Sequence, residues 1–333
     1  MMIFNPDSLR TQVEAATGGR VTVLYDDKGY PSYMHVIPKF RYEDLGLDSV
    51  LGTGVATAFL KDGQEKSEIF IGQFQASLYD GRAVSLPGKD PRTSINFDTA
   101  KAACVDKGPG WHLMNVHEWA AVALWCKANG FEPRGNTNWG RAHDATHETA
   151  VRPDGGTPGV SSGAGRTATG GGPASWRHDG GLSGIADLVG NVWEWQDLLK
   201  TQDGRIITTL DNAFDKDESD WISQDHYVSN EGGSPRLQNS AGTANDDSIS
   251  VDWNTLVKAS GYTESQLLQR LLISPDAATE MQGRFYIRTE GERLPLRGGR
   301  WSNGSSAGLA ALNLNDARSN TATSIGFRPA FVS

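Results

Sequence analysis

Glycine interrupts this chain too often for long helices to form. Thirty-nine glycines stand beside 10 tryptophans among 333 residues, a balance that favours short strands and loops gathered round large aromatic anchors over a helical bundle. The extreme case is GTPGVSSGAGRTATGGGP at 156–173. It carries too little apolar surface to fold alone and reads as a long surface loop within the irregular stretch 130–184. A chain of this length can hold one large or two ordinary domains without disulfides or metals as staples.

The regular elements between the glycines are short. Residues 8–17 suit a helix capped by Ser8, and RVTVLY (20–25) with YPSYMHVIP (30–38) form a hairpin around Asp26-Asp27-Lys28-Gly29. Residues 1–45 thus make a small helix/hairpin unit, either an attachment or oligomerisation element or a strand pair packed on the main body. SEIFIGQFQAS (67–77) is a strand that opens the main domain, 68–333. A helix from Phe97 to Lys107 follows, capped by Asn96 or Asp98 and stopped at Gly108-Pro109-Gly110.

In NVHEWAAVALWCKANG, Asn115 and Glu118 form a capping box and Gly130 ends the helix. Val116, Trp119, Ala120, Ala123 and Cys126 give it one apolar face, with Trp119 a core anchor. Residues 198–290 read as an insertion, charged and Asn-rich, that packs beside the main domain as an accessory layer. Its one amphipathic helix is TESQLLQRLLI (263–273), with Thr263 and Gln266 as capping box and Leu267, Leu268, Leu271 and Leu272 as the buried stripe.

A net charge of −9, with no basic stripe or arginine-rich tail, argues against a nucleic-acid partner. No stretch approaches the length of a membrane span, and the start lacks the basic and apolar regions of a signal peptide, so neither membrane insertion nor that export route is expected. Cys104 and Cys126 match no metal or redox spacing; buried thiols are expected, with a disulfide between them as the alternative. His143, His147 and His178 lie near one another in sequence without a cysteine or acidic cluster, and read as solvated loop histidines rather than metal ligands.

Three passages are more specific than composition: HLMNVHEWAAVA (112–123), GIADLVGNVWEWQD (184–197) and LRGGRWSNGSSAGLAALNLNDARSNTATSIGFRPAFV (296–332). In the second, Gly190-Asn191 makes a turn, and Val192, Trp193 and Trp195 supply large apolar bodies with indole donors to satisfy. Taken in order, the three resemble the C-type lectin fold in the branch shared with formylglycine-generating enzymes, over residues 68–197 and 291–332. The resemblance implies an α+β protein: a mixed, mostly antiparallel sheet with two helices, an N-terminal unit and an inserted region. It also implies paired, buried roles for Arg318 and Arg328.

The chemistry of that branch does not follow. Formylglycine generation depends on cysteines in the C-terminal portion, and none lies beyond Cys126; the related sulfoxide synthases need a histidine-based iron site, and His226 is the only histidine after His178. Calcium-dependent lectins pair Glu-Pro-Asn or Gln-Pro-Asp with Trp-Asn-Asp, whereas Trp301-Ser302-Asn303 has no such partner. The expectation is therefore a binding protein with no catalytic residue, metal ligand or cofactor. A structural calcium at Asp187 or Asn191 competes with a turn and packing role. A catalytic or calcium-dependent carbohydrate-binding relative of the same fold is the alternative function.

The last passage resembles, over 296–328, the variable region of diversity-generating retroelement target proteins, a class that includes a phage tropism determinant. In that class a reverse transcriptase copies a template with errors at adenines, and the altered codons return to this segment. The resemblance implies a hypervariable surface for a protein or cell-surface ligand, on a virion-associated or cell-surface protein, with homo-oligomers in some members and monomers in others.

The residues themselves divide the same way. Gly298, Gly299, Trp301, Gly304, Gly308, Leu312, Leu314, Ile325, Gly326, Phe327 and Arg328 are turn-formers, apolar residues or a buried charge. Between them, Arg300, Ser302, Asn303, Ser305, Ser306, Ala310, Asn313, Asn315 and Asp316 are nearly all small or polar and form the candidate ligand-binding set. In LNLN (312–315), alternation aims both leucines inward and both asparagines outward. Any one of these is also an ordinary solvent-facing loop residue; as a set they read as a recognition surface.

Overall fold

The last strand of the chain, Pro329–Phe331, lies between Glu68–Gly72 and Trp111–Leu113 in a five-stranded antiparallel sheet. The outer pair of that sheet is the hairpin Val21–Tyr25 and Pro31–Pro38. The computed structural model describes residues 7–333, so the first six residues of the 1–45 unit lie outside the described residues. The hairpin is continuous with the main body, paired from Met34 with Gly72 to Pro38 with Glu68. The helix Ser8–Thr17 forms where expected, but Asp7 holds the N-cap position without a side-chain cap bond, so Ser8 is the first helical residue and not the cap.

A second sheet of eleven strands carries the rest. From one edge it runs Ile249–Asp252, Arg284–Ile287, Gly308–Asp316, Glu292–Gly298, Leu199–Gln202, Arg205–Thr208, Ile222–Ser229, Arg236–Gln238 and Val257–Lys258, with Trp193–Trp195 and Ile325–Gly326 attached beside Glu292–Gly298. Most pairs are antiparallel; Arg284–Ile287 with Gly308–Asp316 is a parallel one. The class is α+β with mixed, mostly antiparallel sheets. Segment 198–290 is not an accessory layer: its strands complete this sheet on both sides of Glu292–Gly298 and Gly308–Asp316.

The helix Val116–Ala128 has the expected capping box. Asn115 Oδ1 accepts from the amides of His117 and Glu118, and Glu118 accepts from the Asn115 amide. One apolar face does not describe it, because every residue from Val116 to Leu124 is buried. Its polar members are covered by partners that periodicity cannot reveal: His117 lies between the hydroxyls of Thr57 and Thr209, at 2.9 and 3.0 Å, and Glu118 lies 2.8 Å from His112 Nε2. Trp119 is the anchor expected, its indole N–H donating to Leu309 O at 2.9 Å.

The helix Phe97–Val105 is capped by Asn96 and ends two residues before the expected Lys107. Cys104 and Cys126 are both free and buried, and burial pushes both thiols up. In 263–273 only Gln266–Arg270 is helical, capped by Ser265 in place of Thr263. The chain leaves the helix through Leu272 at φ 52°, keeping Leu268, Leu271 and Leu272 fully buried.

The glycine-rich 130–184 stretch has one 3-10 turn, Ala174–Trp176, but it is not a surface loop throughout. Asn136, Arg152, Thr167, Thr169 and Trp176 are buried. The stretch is held by its own contacts, with Arg152 donating to Thr157 O and Val160 O, Trp176 to Glu148 and a small cluster of Ala142, Ala145, Ala150 and Trp176, and by Asn191, whose Oδ1 accepts from the Asn136 side chain and from the amide and hydroxyl of Thr167. His178 is also buried, edge-to-face on His35 with ring centroids 4.6 Å apart, because Ile185 N–H donates to its Nδ1; His147 is exposed, and His143 bonds Thr137.

Candidate binding surface

Gly308–Asp316 is the strand on which the candidate site is built, and its two faces differ. Ala310, Leu312 and Leu314 point into the cluster that holds Trp119, Phe285 and Ile287. The opposite face begins buried, where Ala311 packs with Trp193, Trp195, Leu296 and Phe327, and emerges to solvent at Asn313 and Asn315. The alternation expected of LNLN is observed. By the same alternation Ala310 must face inward with Leu312, and it is completely buried. Ala310 therefore does not belong to the exposed set.

Backbone contact fixes the strand in place. A Cβ on Gly308 would stand 2.0 Å from Gln282 O, and Gly298, at φ 89°, comes as close as 2.5 Å to Leu188 O by the same measure. Neither position has room for a side chain. The GNVWEW and GFR passages meet behind the face, where Arg328 donates to Glu194 in the interior.

The remaining expected residues fall into two groups. Arg300, Ser302, Asn303, Ser305 and Ser306 lie in the loop before the strand, Arg300 and Ser305 exposed and the others half-buried. Asn303 is partly engaged within the loop, accepting at Oδ1 from the Arg300 amide. The loop rests on the 136–141 segment: Gly304 N–H donates to Thr137 O, Trp139 N–H to Trp301 O and Trp301 N–H to Asn191 O.

Asn313, Asn315 and Asp316 form the second group at the far end, all half-buried. Asn313 donates to Asp316 Oδ2 at 2.9 Å and Asn315 to Ser248 Oγ at 2.9 Å. Seven residue steps of extended chain lead from Ser306 to Asn313, about 23 Å at strand rise. The returning loop links the two ends, Asn320 donating to Asp316 and Arg300 to Ser324 Oγ. The candidate residues thus form a band from the loop before the strand to the strand's far end, and not a cleft. Two cavities of about 690 and 1070 Å³, one beside Trp125 and His35, the other beside Trp111 and Lys216, include none of these residues.

No family model matches the chain, and no curated relative matches it. Solved structures similar to it include Treponema denticola variable protein 1, at 13% identity and a TM-score of 0.37, covering 93% of this chain and 98% of that one. The U1 and P3c variants of the major tropism determinant are similar at 12% and 13% identity, each with a TM-score of 0.35, covering 93% of this chain and 71% of theirs. The chain is similar to solved variable and tropism-determinant proteins.

Sequence reasoning missed half of the open face. Arg284–Ile287 pairs Tyr286 with Asn313, and Ile249–Asp252 pairs Ser250 with Tyr286, so Ser250, Tyr286 and Asn313 form one outward row across three strands. Arg284 and Tyr286 are half-buried while Phe285 and Ile287 are fully buried. The signal was the period-two pattern of RFYI, hidden because the segment falls inside the insertion.

Arg318 lies beside this face and is half-buried, bonded to Glu292, Glu218 and Asp98. Burial works against its charge, but the carboxylates hold its pKa above the ordinary arginine value. Asp187 is fully buried, with Oδ2 accepting from Gly170 N–H at 2.7 Å and Oδ1 without a partner among the described residues. Both Asp187 and Asn191 sit at positive φ, 60° and 59°, a conformation their short polar side chains tolerate. Among the described residues no group of three His, Cys, Asp or Glu is placed to hold a metal ion, and no helix is long and apolar enough to cross a membrane.

Proposed function

We propose that this chain is a non-enzymatic binding protein with a C-type lectin fold of the formylglycine-generating-enzyme-like branch. Its C-terminal segment is a hypervariable surface diversified by a retroelement. The observation that carries the reading is the division along Gly308–Asp316 and its preceding loop. Arg300, Ser302, Asn303, Ser305, Ser306, Asn313, Asn315 and Asp316 reach solvent, while Trp301, residues 307–312 and Leu314 are buried against backbone or core. Side chains in such positions can change without a new backbone conformation, and a rigid frame avoids the ordering cost of a mobile loop on binding.

The ligand of this reading is a protein or cell-surface molecule, since a band of about 23 Å from the loop to the strand's far end suits a macromolecule better than a small molecule. Residues 68–333 are the C-type lectin-like domain, with 198–290 inserted and 296–328 variable; residues 1–45 are the N-terminal unit, a place for contacts between copies. Several copies would add avidity to a modest single-site affinity.

The test is the DNA beside the gene. A near-copy of the 296–328 coding segment, differing at adenines and lying by a reverse-transcriptase gene, is the expected result, with mismatches at codons of the exposed residues. Mismatches falling on Leu312, Leu314 or Phe327 codons, or no near-copy at all, would overturn the diversification reading.

A further inference from the structure

The outward row across three strands has one side that the candidate variable segment does not supply. Tyr286 and Arg284 come from Arg284–Ile287, outside 296–328. Tyr286 stands at the centre of the row, its ring edge-on to Trp193 at 6.0 Å between centroids, so the aromatic body is held from behind. Its hydroxyl has no hydrogen-bond partner among the described residues. The Arg284 guanidinium packs 6.0 Å from the Tyr286 ring centroid. It donates from Nε to Ser250 Oγ at 2.8 Å and from Nη2 to Ser250 O at 3.2 Å, leaving Nη1 without a partner among the described residues.

Charge separates this spot from the rest of the chain. The protein carries a net −9, yet Arg284 and Arg300 make no ion pair among the described residues. The acidic groups nearby are engaged otherwise: Asp246 with Arg288 and Arg293, Asp316 with Asn313 and Asn320, and Asp252, opposite Arg284 in the ladder, with the Asn254 amide. A guanidinium edge without an ion pair among the described residues, beside a phenol hydroxyl, presents convergent donors, the arrangement that receives a carboxylate.

Resting on the binding reading above, we infer that Tyr286 and Arg284 form a fixed anchor that takes an acidic segment of the protein ligand. Residues 300–306 and 313–316 beside it decide which acidic segment is accepted. A tyrosine held rigidly by its neighbours and an arginine already oriented by two hydrogen bonds lose little freedom on binding, as centres of recognition surfaces require. The anchor supplies affinity common to all versions of the surface, and the neighbouring side chains supply the differences.

The experiment uses the full chain in a displayed library randomised at the exposed residues of 300–306 and at Asn313, Asn315 and Asp316. It is panned against an acidic protein, ovalbumin, and a basic one, lysozyme. Clones that bind are remade with Tyr286→Phe and Arg284→Gln, which keep the ring against Trp193 and a donor for Ser250, so folding is retained. The inference expects more clones against ovalbumin than against lysozyme, and a loss of about tenfold or more in ovalbumin affinity in the double variant across unrelated clones. Ovalbumin clones whose affinity the double variant leaves unchanged overturn the anchor while the binding reading stands. A library that yields no clones to either protein overturns the binding reading, and the anchor with it.

Discussion

Arg328 and Glu194 form a fully buried ion pair, the guanidinium donating from Nε at 2.9 Å and from Nη2 at 2.6 Å to the two carboxylate oxygens. The guanidinium also donates to Gly72 O and Ala186 O, both at 2.8 Å. One pair therefore ties the GNVWEW passage to the C-terminal GFR passage, and both to the five-stranded sheet.

Removing one partner of such a pair leaves the other charged and buried. Arg328→Met should cost about 3–5 kcal/mol of folding stability, measured by urea unfolding. Arg297 provides the contrast. It is also fully buried, but among the described residues it donates to the carbonyls of Leu271, Leu272 and Ala310 and to no carboxylate, and burial alone pushes its pKa down to about 9. Arg297→Met strands neutral carbonyls and no carboxylate, so it should cost about 1–3 kcal/mol, less than Arg328→Met. Equal losses for the two variants would contradict this account of the core.

Acid should weaken the fold before most carboxylates titrate. Burial pushes His117 down to about 3 and also lowers His35 and His178. Above the unfolded value of about 6.5 these rings are neutral in both states. As pH falls below it the unfolded chain takes up protons and the folded chain does not, so stability drops. For His117 alone the loss by pH 5 is about 2 kcal/mol. The urea midpoint should fall between pH 7 and pH 5, and the fall should shrink in His117→Gln.

His112 acts in the opposite sense. Burial disfavours its charge, but Glu118 at 2.8 Å overrides this and leaves the pKa raised. Its contribution is present in full below about pH 6.5 and is lost as pH rises through the folded value. His112→Gln should therefore lose more stability relative to the parent at pH 6 than at pH 9, by the same unfolding measurement.

Packing sets where the C-terminal segment tolerates change. Ser305→Tyr should shift stability by about 0.5 kcal/mol or less, as exposed positions do, and Asn315→Tyr, which gives up a half-buried bond to Ser248 Oγ, by about 0.5–1.5 kcal/mol. Leu312→Ala should cost about 2–5 kcal/mol through the cavity it leaves. Gly308→Ala, whose Cβ would stand 2.0 Å from Gln282 O, should cost about 1–3 kcal/mol by forcing two backbones apart. Thermal melts of the four variants check the order.

Short-range rules were enough for much of this molecule. The Asn115 capping box, the Trp119 anchor and the inward leucines at 312 and 314 follow from neighbours within a few residues, and each is observed. Misreadings arose where distant chain decides the outcome. The helix expected over 263–273 stops at Arg270, and the two residues after it, Leu271 and Leu272, turn their carbonyls to Arg297. The 130–184 stretch is ordered by side-chain bonds across its own turns, such as Trp176 to Glu148, and by Asn191 from outside it, neither of which composition reveals. Half of the candidate surface was missed because Tyr286 reaches Asn313 only through a parallel pairing between strands 20 residues apart in sequence, from Ile287 to Gly308, which no local pattern announces.

The central claim is that one face varies and binds while the frame behind it stays folded. The most direct measurement is a displayed library randomised together at Ser302, Ser305, Ser306, Asn313, Asn315 and Asp316, sorted first for protease resistance and then for capture of immobilised proteins. The account predicts that most members stay as resistant as the parent and that clones specific to individual targets emerge. It is contradicted if the resistant fraction collapses to that of a library randomised at Leu309, Leu312 and Leu314, or if no resistant clone captures a target better than the parent does.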